Sequence, residues 1–339
     1  MPRVSNSQIN LFRGCPRRWA HKYVLNTVPD ILEDQVTFFY GKILHKILEL
    51  HLIENVQELN FIDLPFDKNL QFNTFFDKAL AEQEKYHTNL VKTTREGEQL
   101  GEFTLRCKMF FHYVCFCKFM QFNPEIRVKA TEHTIETETC KLVIDLVFEL
   151  GDKFYILDFK TTSTKKEKSN TASRLHFDSQ LQLYALYQGT IKQNLSLSCH
   201  FGGIGYLEFV KPTNKWLVRL DKLKNFEERC VDYVNYLISQ NDYENNCFAT
   251  IVDSSDLNFE EFRHNFLITY QEMELLTGTC ANGSFFGLQN TNNCMNFNRA
   301  CEFWSQCYGN KEHLQTSGSL ASLLNPQQAL LDSFLADIL

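Results

Sequence analysis

Two aspartates and a lysine stand in one short stretch, Lys141–Lys160, patterned as a β-hairpin. Runs rich in Leu, Val, Ile and Phe flank Gly151-Asp152, a dipeptide suited to a two-residue turn. With those two residues as the loop, Leu150 pairs with Lys153, and counting back puts Asp145 directly across from Asp158. Side chains so opposed have Cβ atoms ~5 Å apart, and like charges there repel. Lys160, two residues past Asp158, projects from the same face. Ile144, Leu146, Phe148, Leu157 and Phe159 occupy the other face. That predicts a sheet covered on both sides, where an unpaired carboxylate is costly. A divalent metal ion would hold two such carboxylates together. The alternative is a surface hairpin whose Asp and Lys form an ordinary ion pair.

Three further sets of residues have the types for chemistry. His45 and Glu49 are spaced i, i+4 and share one face of an apolar helix, where a lone histidine is more often a satisfied core residue than a ligand. Gln180 and Tyr184 stack in the same way on a second amphipathic helix. Cys294, Cys301 and Cys307 form a C-x6-C-x5-C pattern, and a thiolate cluster there suits zinc or iron–sulfur. Three cysteines leave a tetrahedral set one ligand short, which Cys15 or Cys280 would complete. The other cysteines, such as Cys107, Cys115, Cys117, Cys199 and Cys230, sit among apolar residues and read as core.

These residues need elements to place them. Capping residues at Ser5–Ser7 open a short helix, Gly14-Cys15-Pro16 breaks it, and Pro16 starts a second. Residues 37–53 have the apolar period of a helix carrying His45, and 73–122 read as long helices joined near 92–97. Arg127–Thr137 reads as a strand before the hairpin. Residues 161–173 are polar and basic, a mobile loop ahead of the helix with Gln180. Strands at Leu197–Val210 and Trp216–Leu220 and a helix over 223–239 follow. The order predicts an α+β fold with a mixed central sheet flanked by helices. Residues 1–312 read as one domain with a helical insertion at about 55–125, and 313–339 as a linker and amphipathic tail. In that tail Gln328, Leu331, Phe334 and Leu335 have the spacing of sliding-clamp ligands, although a Leu-rich helix produces it easily.

Composition narrows the function classes. A chain of 339 residues can bury a sizeable core. A formal charge of −7 argues against coating nucleic acid by bulk charge, though not against an enzyme that holds DNA in one groove. Basic residues cluster at Arg13, Arg17 and Arg18 and again at Lys165, Lys166 and Lys168. Twelve cysteines without a secretory pattern at the N-terminus read as thiols of an intracellular protein. No run of apolar residues is long enough to cross a membrane, and no phosphate loop of the G-x4-G-K-(S/T) type occurs, so a helicase motor would be a separate chain.

Asp145, Asp158-Phe-Lys160, Gly41-Lys-Ile-Leu-His45, Gln180-x3-Tyr184 and the split cysteines Cys15, Cys294, Cys301 and Cys307 occur in that set over nearly the whole chain. Together they resemble the PD-(D/E)XK nuclease superfamily, in its iron–sulfur RecB/AddB-like branch, which includes CRISPR-associated RecB-type exonucleases. Leu142 stands where many relatives carry Gly, and the six-residue first gap leaves Cys280 beside Cys294 as a candidate second ligand. The resemblance implies a restriction-endonuclease-like core with an iron–sulfur cap from Cys15 and residues 280–307. It implies Mg²⁺ or Mn²⁺ at His45, Asp145, Asp158 and the Phe159 carbonyl, and a 4Fe-4S cluster on the four cysteines. Lys160 would orient the attacking water or stabilise developing charge; Gln180 and Tyr184 would position DNA or Lys160. The implied activity is a metal-dependent DNA nuclease, an exonuclease on single-stranded DNA or DNA ends in recombination, repair or replication. The competing reading is a non-catalytic iron–sulfur DNA-binding or assembly factor that keeps the fold.

Overall fold

A computed structural model describes residues 3–27, 36–54, 66–82, 92–93, 99–100, 102–162, 174–212, 225–281, 295–296, 299–301, 303 and 307. Of the loop expected at 161–173, Thr161 and Thr162 instead end a strand, and residues 163–173, the expected strand at Trp216–Leu220, Cys294 and the tail from 313 lie outside them.

A five-stranded mixed sheet carries the fold: β1 (Arg127–Glu136), β2 (Lys141–Leu150), β3 (Lys153–Thr162), β4 (His200–Val210) and β5 (Cys247–Asp253), side by side in chain order. Gly151 takes the left-handed conformation the hairpin turn requires, at φ 64°. From it the ladder runs Leu150↔Lys153 to Leu146↔Leu157, the register counted from the sequence. β3 pairs with β4 in parallel, and all other neighbours are antiparallel. A parallel pair needs a crossover, and α6 (Ser179–Leu186) and α7 (Gln188–Asn194) occupy it. The sheet runs one strand beyond the expected set, because β5 pairs with β4 at 203–209. Glycine makes that pairing close: a Cβ on Gly203 would lie 2.2 Å from the Val252 carbonyl oxygen.

The helices follow the apolar period. α1 (Asn6–Gly14) and α2 (Pro16–Tyr23) meet at Cys15, with Pro16 in the first turn of α2. α3 (Val36–Ile53), α4 (Leu70–Ala81) and α5 (Glu102–Phe122) come next, then α8 (Phe226–Ser239), α9 (Tyr243–Asn246) and α10 (Phe259–Ala281). Asn225 and Glu228 close a reciprocal cap on α8. Ile43, Leu44, Ile47 and Leu48 of α3, Phe72, Phe75 and Phe76 of α4 and Phe110, Val114 and Phe116 of α5 form one core with Leu146, Phe148, Leu157, Phe159, Leu207 and Phe209 of the sheet. The expected insertion thus contributes α4 and α5 to the main core.

Two compact units partition the chain. Met1–Asn10 with Asp34–Glu272 contains the sheet, and Leu11–Glu33 with Met273–Leu339 forms the second. In the second unit Phe12 meets Trp19 edge-on at 5.2 Å, and His21 stacks on Phe303 at 5.4 Å. Among the described residues no helix is long and apolar enough to cross a membrane.

Candidate active site

The hairpin delivers its carboxylates to a buried place. Asp145 is 5% exposed and Asp158 2%. The recorded ladder ends at Leu146↔Leu157, one step short of these two residues, because Asp145 turns its Oδ2 to accept from the Phe159 backbone N–H at 2.7 Å. Thr131 donates to the Asp145 carbonyl at 2.9 Å, tying β1 to the same point. Lys160 brings its ammonium 2.5 Å from Asp158 Oδ2 and lies over the Tyr206 ring at 5.5 Å. Asp158 and Lys160 therefore share a face, as their spacing requires.

His45 comes in from α3. Its Nε2 lies 3.0 Å from the Phe159 carbonyl oxygen, so Nε2 carries the proton in that contact, since a carbonyl only accepts. Nδ1 then points toward Asp145 Oδ2 at 3.5 Å and Glu132 Oε1 at 3.8 Å. Glu132 is not among the residues that the sequence motifs single out. It sits in β1 between the pairs Thr131↔Leu146 and His133↔Ile144, hence across from Asp145. The count that aligned Asp145 with Asp158 would have found it, carried over the β1–β2 turn. Its φ of 44° is uncommon for a non-glycine residue and marks a local distortion of β1. Glu49, which shares a helix face with His45, pairs with Lys46 at 3.0 Å.

The electrostatics are those of crowded acids. Burial raises the Asp145 carboxyl well above the ordinary range, and Asp158 raises it further. Burial and then Asp145 push Glu132 up to about 7. Asp158 is also raised by burial, against the pull of Lys160. Burial lowers His45, and the neighbouring Asp158 and Glu132 only partly restore it. Burial opposes the Lys160 charge, but Asp158 outweighs it and the net shift is upward. Glu132, Asp145 and Asp158 thus crowd one place, with Lys160 paired to Asp158, a surplus of acidic groups that a cation would relieve. One ligand atom each from His45, Glu132 and Asp145 come within 4.8 Å of one another, close enough to hold a metal ion.

The sequence profile of the PD-(D/E)XK nuclease superfamily matches residues 3–308. The chain belongs to the PD-(D/E)XK nuclease superfamily. No curated protein matches it. Membership points to a metal-dependent nuclease, and His45, Glu132 and Asp145 form a possible acidic metal site. The mixed sheet flanked by helices is consistent with the superfamily's core.

The remaining residues divide. Gln180 donates through Nε2 to Asp158 Oδ1 at 2.6 Å and to the Tyr184 hydroxyl at 2.7 Å, and Tyr184 in turn donates to the Val143 carbonyl. Gln180 therefore bears directly on Asp158, and Tyr184 through Gln180. Asp178 caps α6 by accepting from the Gln180 and Leu181 N–H groups, and Tyr206 also donates to it. Cys15, Cys280, Cys301 and Cys307 all belong to the second unit. Cys15 is 7% exposed, while Cys301 and Cys307 are half-buried. Among the described residues Cys15, Cys301 and Cys307 do not form a group of three as close as that at His45.

Proposed function

We propose that this protein is a Mg²⁺- or Mn²⁺-dependent deoxyribonuclease, an exonuclease that works on single-stranded DNA or DNA ends in recombination, repair or replication. The observation that carries the reading is the gathering of Glu132, Asp145, Asp158, Lys160 and His45 around one hairpin. The donor set fits a hard cation, with carboxylate oxygens, a carbonyl and an imidazole. His45, Glu132, Asp145, Asp158 and the Phe159 carbonyl would hold it. The bound ion would supply an acidified water and neutralise the charge that builds on phosphate.

This chain's own residues do the rest. Lys160 holds a positive charge beside Asp158, where it would orient the attacking water and meet developing negative charge. Gln180 fixes one oxygen of Asp158 and leaves the other to Lys160. His45 is kept largely neutral by burial, the state in which its nitrogen lone pair is available to a ligand. Four cysteines, Cys15 with Cys294, Cys301 and Cys307 or with Cys280 in place of Cys294, would carry a 4Fe-4S cluster. The placement of Cys15, Cys301 and Cys307 in one unit supports that reading. Residues 1–312 would then act as one nuclease domain inside the cell, and 325–339 would recruit a helicase or sliding clamp.

Purified protein should cleave DNA only with Mn²⁺ or Mg²⁺, and single-stranded, blunt and circular substrates read the end requirement. Cleavage of closed circles would remove the exonuclease reading. Anaerobic purification with iron and sulfide counted tests the cluster. The reading of a non-catalytic factor with the nuclease fold requires that no substrate be cut with either metal.

A further inference from the structure

The geometry points to Asn6 as a positioning residue for Asp158, acting through Gln180. It rests on the reading that Asp158 helps to hold the catalytic metal. The bonds run in one direction. Tyr184 spends its only proton on the Val143 carbonyl, so toward Gln180 it can only accept. Gln180 must therefore turn its NH₂ toward Tyr184, and the same group donates to Asp158 Oδ1 at 2.6 Å. Its carbonyl oxygen then faces Asn6, whose Nδ2 donates to it at 3.3 Å. Asn6 is itself oriented, because its Oδ1 accepts from Asn10 Nδ2 at 3.4 Å and faces the Ser179 hydroxyl at 2.8 Å. Ser179 also lies 2.6 Å from Asn10 Oδ1.

The chain Asn10 to Asn6 to Gln180 to Asp158 thus selects one of two amide orientations. In the opposite one the Gln180 carbonyl oxygen would face a carboxylate oxygen at the same spacing, acceptor against acceptor. Asp158 would then turn away from both Lys160 and the metal position. Asn6 is suited to hold the chain because its own backbone is anchored. Val4, two residues earlier, donates to the Thr139 carbonyl at 2.9 Å and accepts from the Lys141 N–H at 3.1 Å, at the start of β2. The N-terminal segment is thereby registered against the strand that carries Asp145.

Mn²⁺ binding measured by calorimetry on the full chain tests this without any reference to turnover. Asn6→Ala should weaken Mn²⁺ binding by ~10-fold, at the lower end of what loss of an outer-shell partner costs. Asn6→Asp, which cannot donate, should weaken it at least as much, and Asn6→Ser, which can, should recover part of the loss. In a Gln180→Leu background Asn6→Ala should have no further effect, whereas a general structural role would add its loss to that of Gln180. Unchanged Mn²⁺ binding in Asn6→Ala, or additive losses in the double variant, would overturn the role of Asn6 alone. Wild-type protein that binds Mn²⁺ no better than Asp145→Ala would overturn the metal reading and this inference with it.

Discussion

Two histidines of α3 show what separates a site from a core. His51 is 6% exposed, with Nδ1 3.1 Å from the Tyr113 hydroxyl and the rings of Phe75 and Phe116 around it. Burial lowers it to about 4 against the weaker pull of Glu54, and a hydrogen bond and aromatic packing hold the ring. His45, six residues earlier, is likewise lowered by burial, but its ring faces Asp145, Glu132 and the Phe159 carbonyl. Same residue, same helix, same direction of shift: the difference lies in the charge of the neighbours. Burial alone does not mark a functional histidine. A surplus of buried carboxylates beside it does.

The comparison can be broken at several strengths. The largest effect is expected from Asp158→Ala or Lys160→Ala, each of which should cut metal-dependent cleavage by ~10³-fold while thermal unfolding stays close to wild type. His45→Ala should behave like them, with Mn²⁺ binding lost. Cleavage that survives in all three would move the active site elsewhere. His51→Ala should do the reverse. It should cost roughly 2–4 kcal/mol in urea unfolding, as for other emptied core positions, and leave cleavage per folded molecule unchanged.

The surroundings of His45 and of His51 should also respond oppositely to pH. Glu132 is raised to about 7 in the folded protein, so its contribution is present below the ordinary carboxylate value and lost as pH rises through about 7. His51 is lowered to about 4, so its contribution is present above the ordinary histidine value and lost as pH falls toward about 4. In metal-free protein Glu132→Gln should flatten the alkaline loss of melting temperature, and His51→Leu the acidic loss. Mn²⁺ should oppose only the alkaline loss. A melting temperature that rises steadily with pH in Glu132→Gln and wild type alike would deny the carboxylate crowding. The smallest effect belongs to Glu49→Ala, which removes a pair with Lys46 and should change stability by about 1 kcal/mol or less, with Mn²⁺ binding intact.

Much of the hairpin could be read directly. Gly151 marks the turn, strand alternation separates Asp158 and Lys160 from Leu157 and Phe159, and the counted register agrees with the observed ladder. Such features are local, fixed by turn geometry and a side-chain period of two. β5 was harder to see, since seven residues bounded by an asparagine-rich stretch show no strong alternation, and their pairing depends on the glycines of β4.

By itself the sequence determined the fold class, the acidic hairpin and the presence of His45, Gln180 and Tyr184 as residues of interest. Periodicity and spacing carry that information along the chain. Only the tertiary structure decided which of them meet. It drew Glu132 in from β1 and turned Glu49 away to Lys46, and it placed Gln180 between Asp158 and Asn6. Those outcomes depend on where α3, α6 and the N-terminal segment pack against the sheet. No spacing within one segment encodes a contact made by residues more than a hundred positions apart, such as His45 with Phe159.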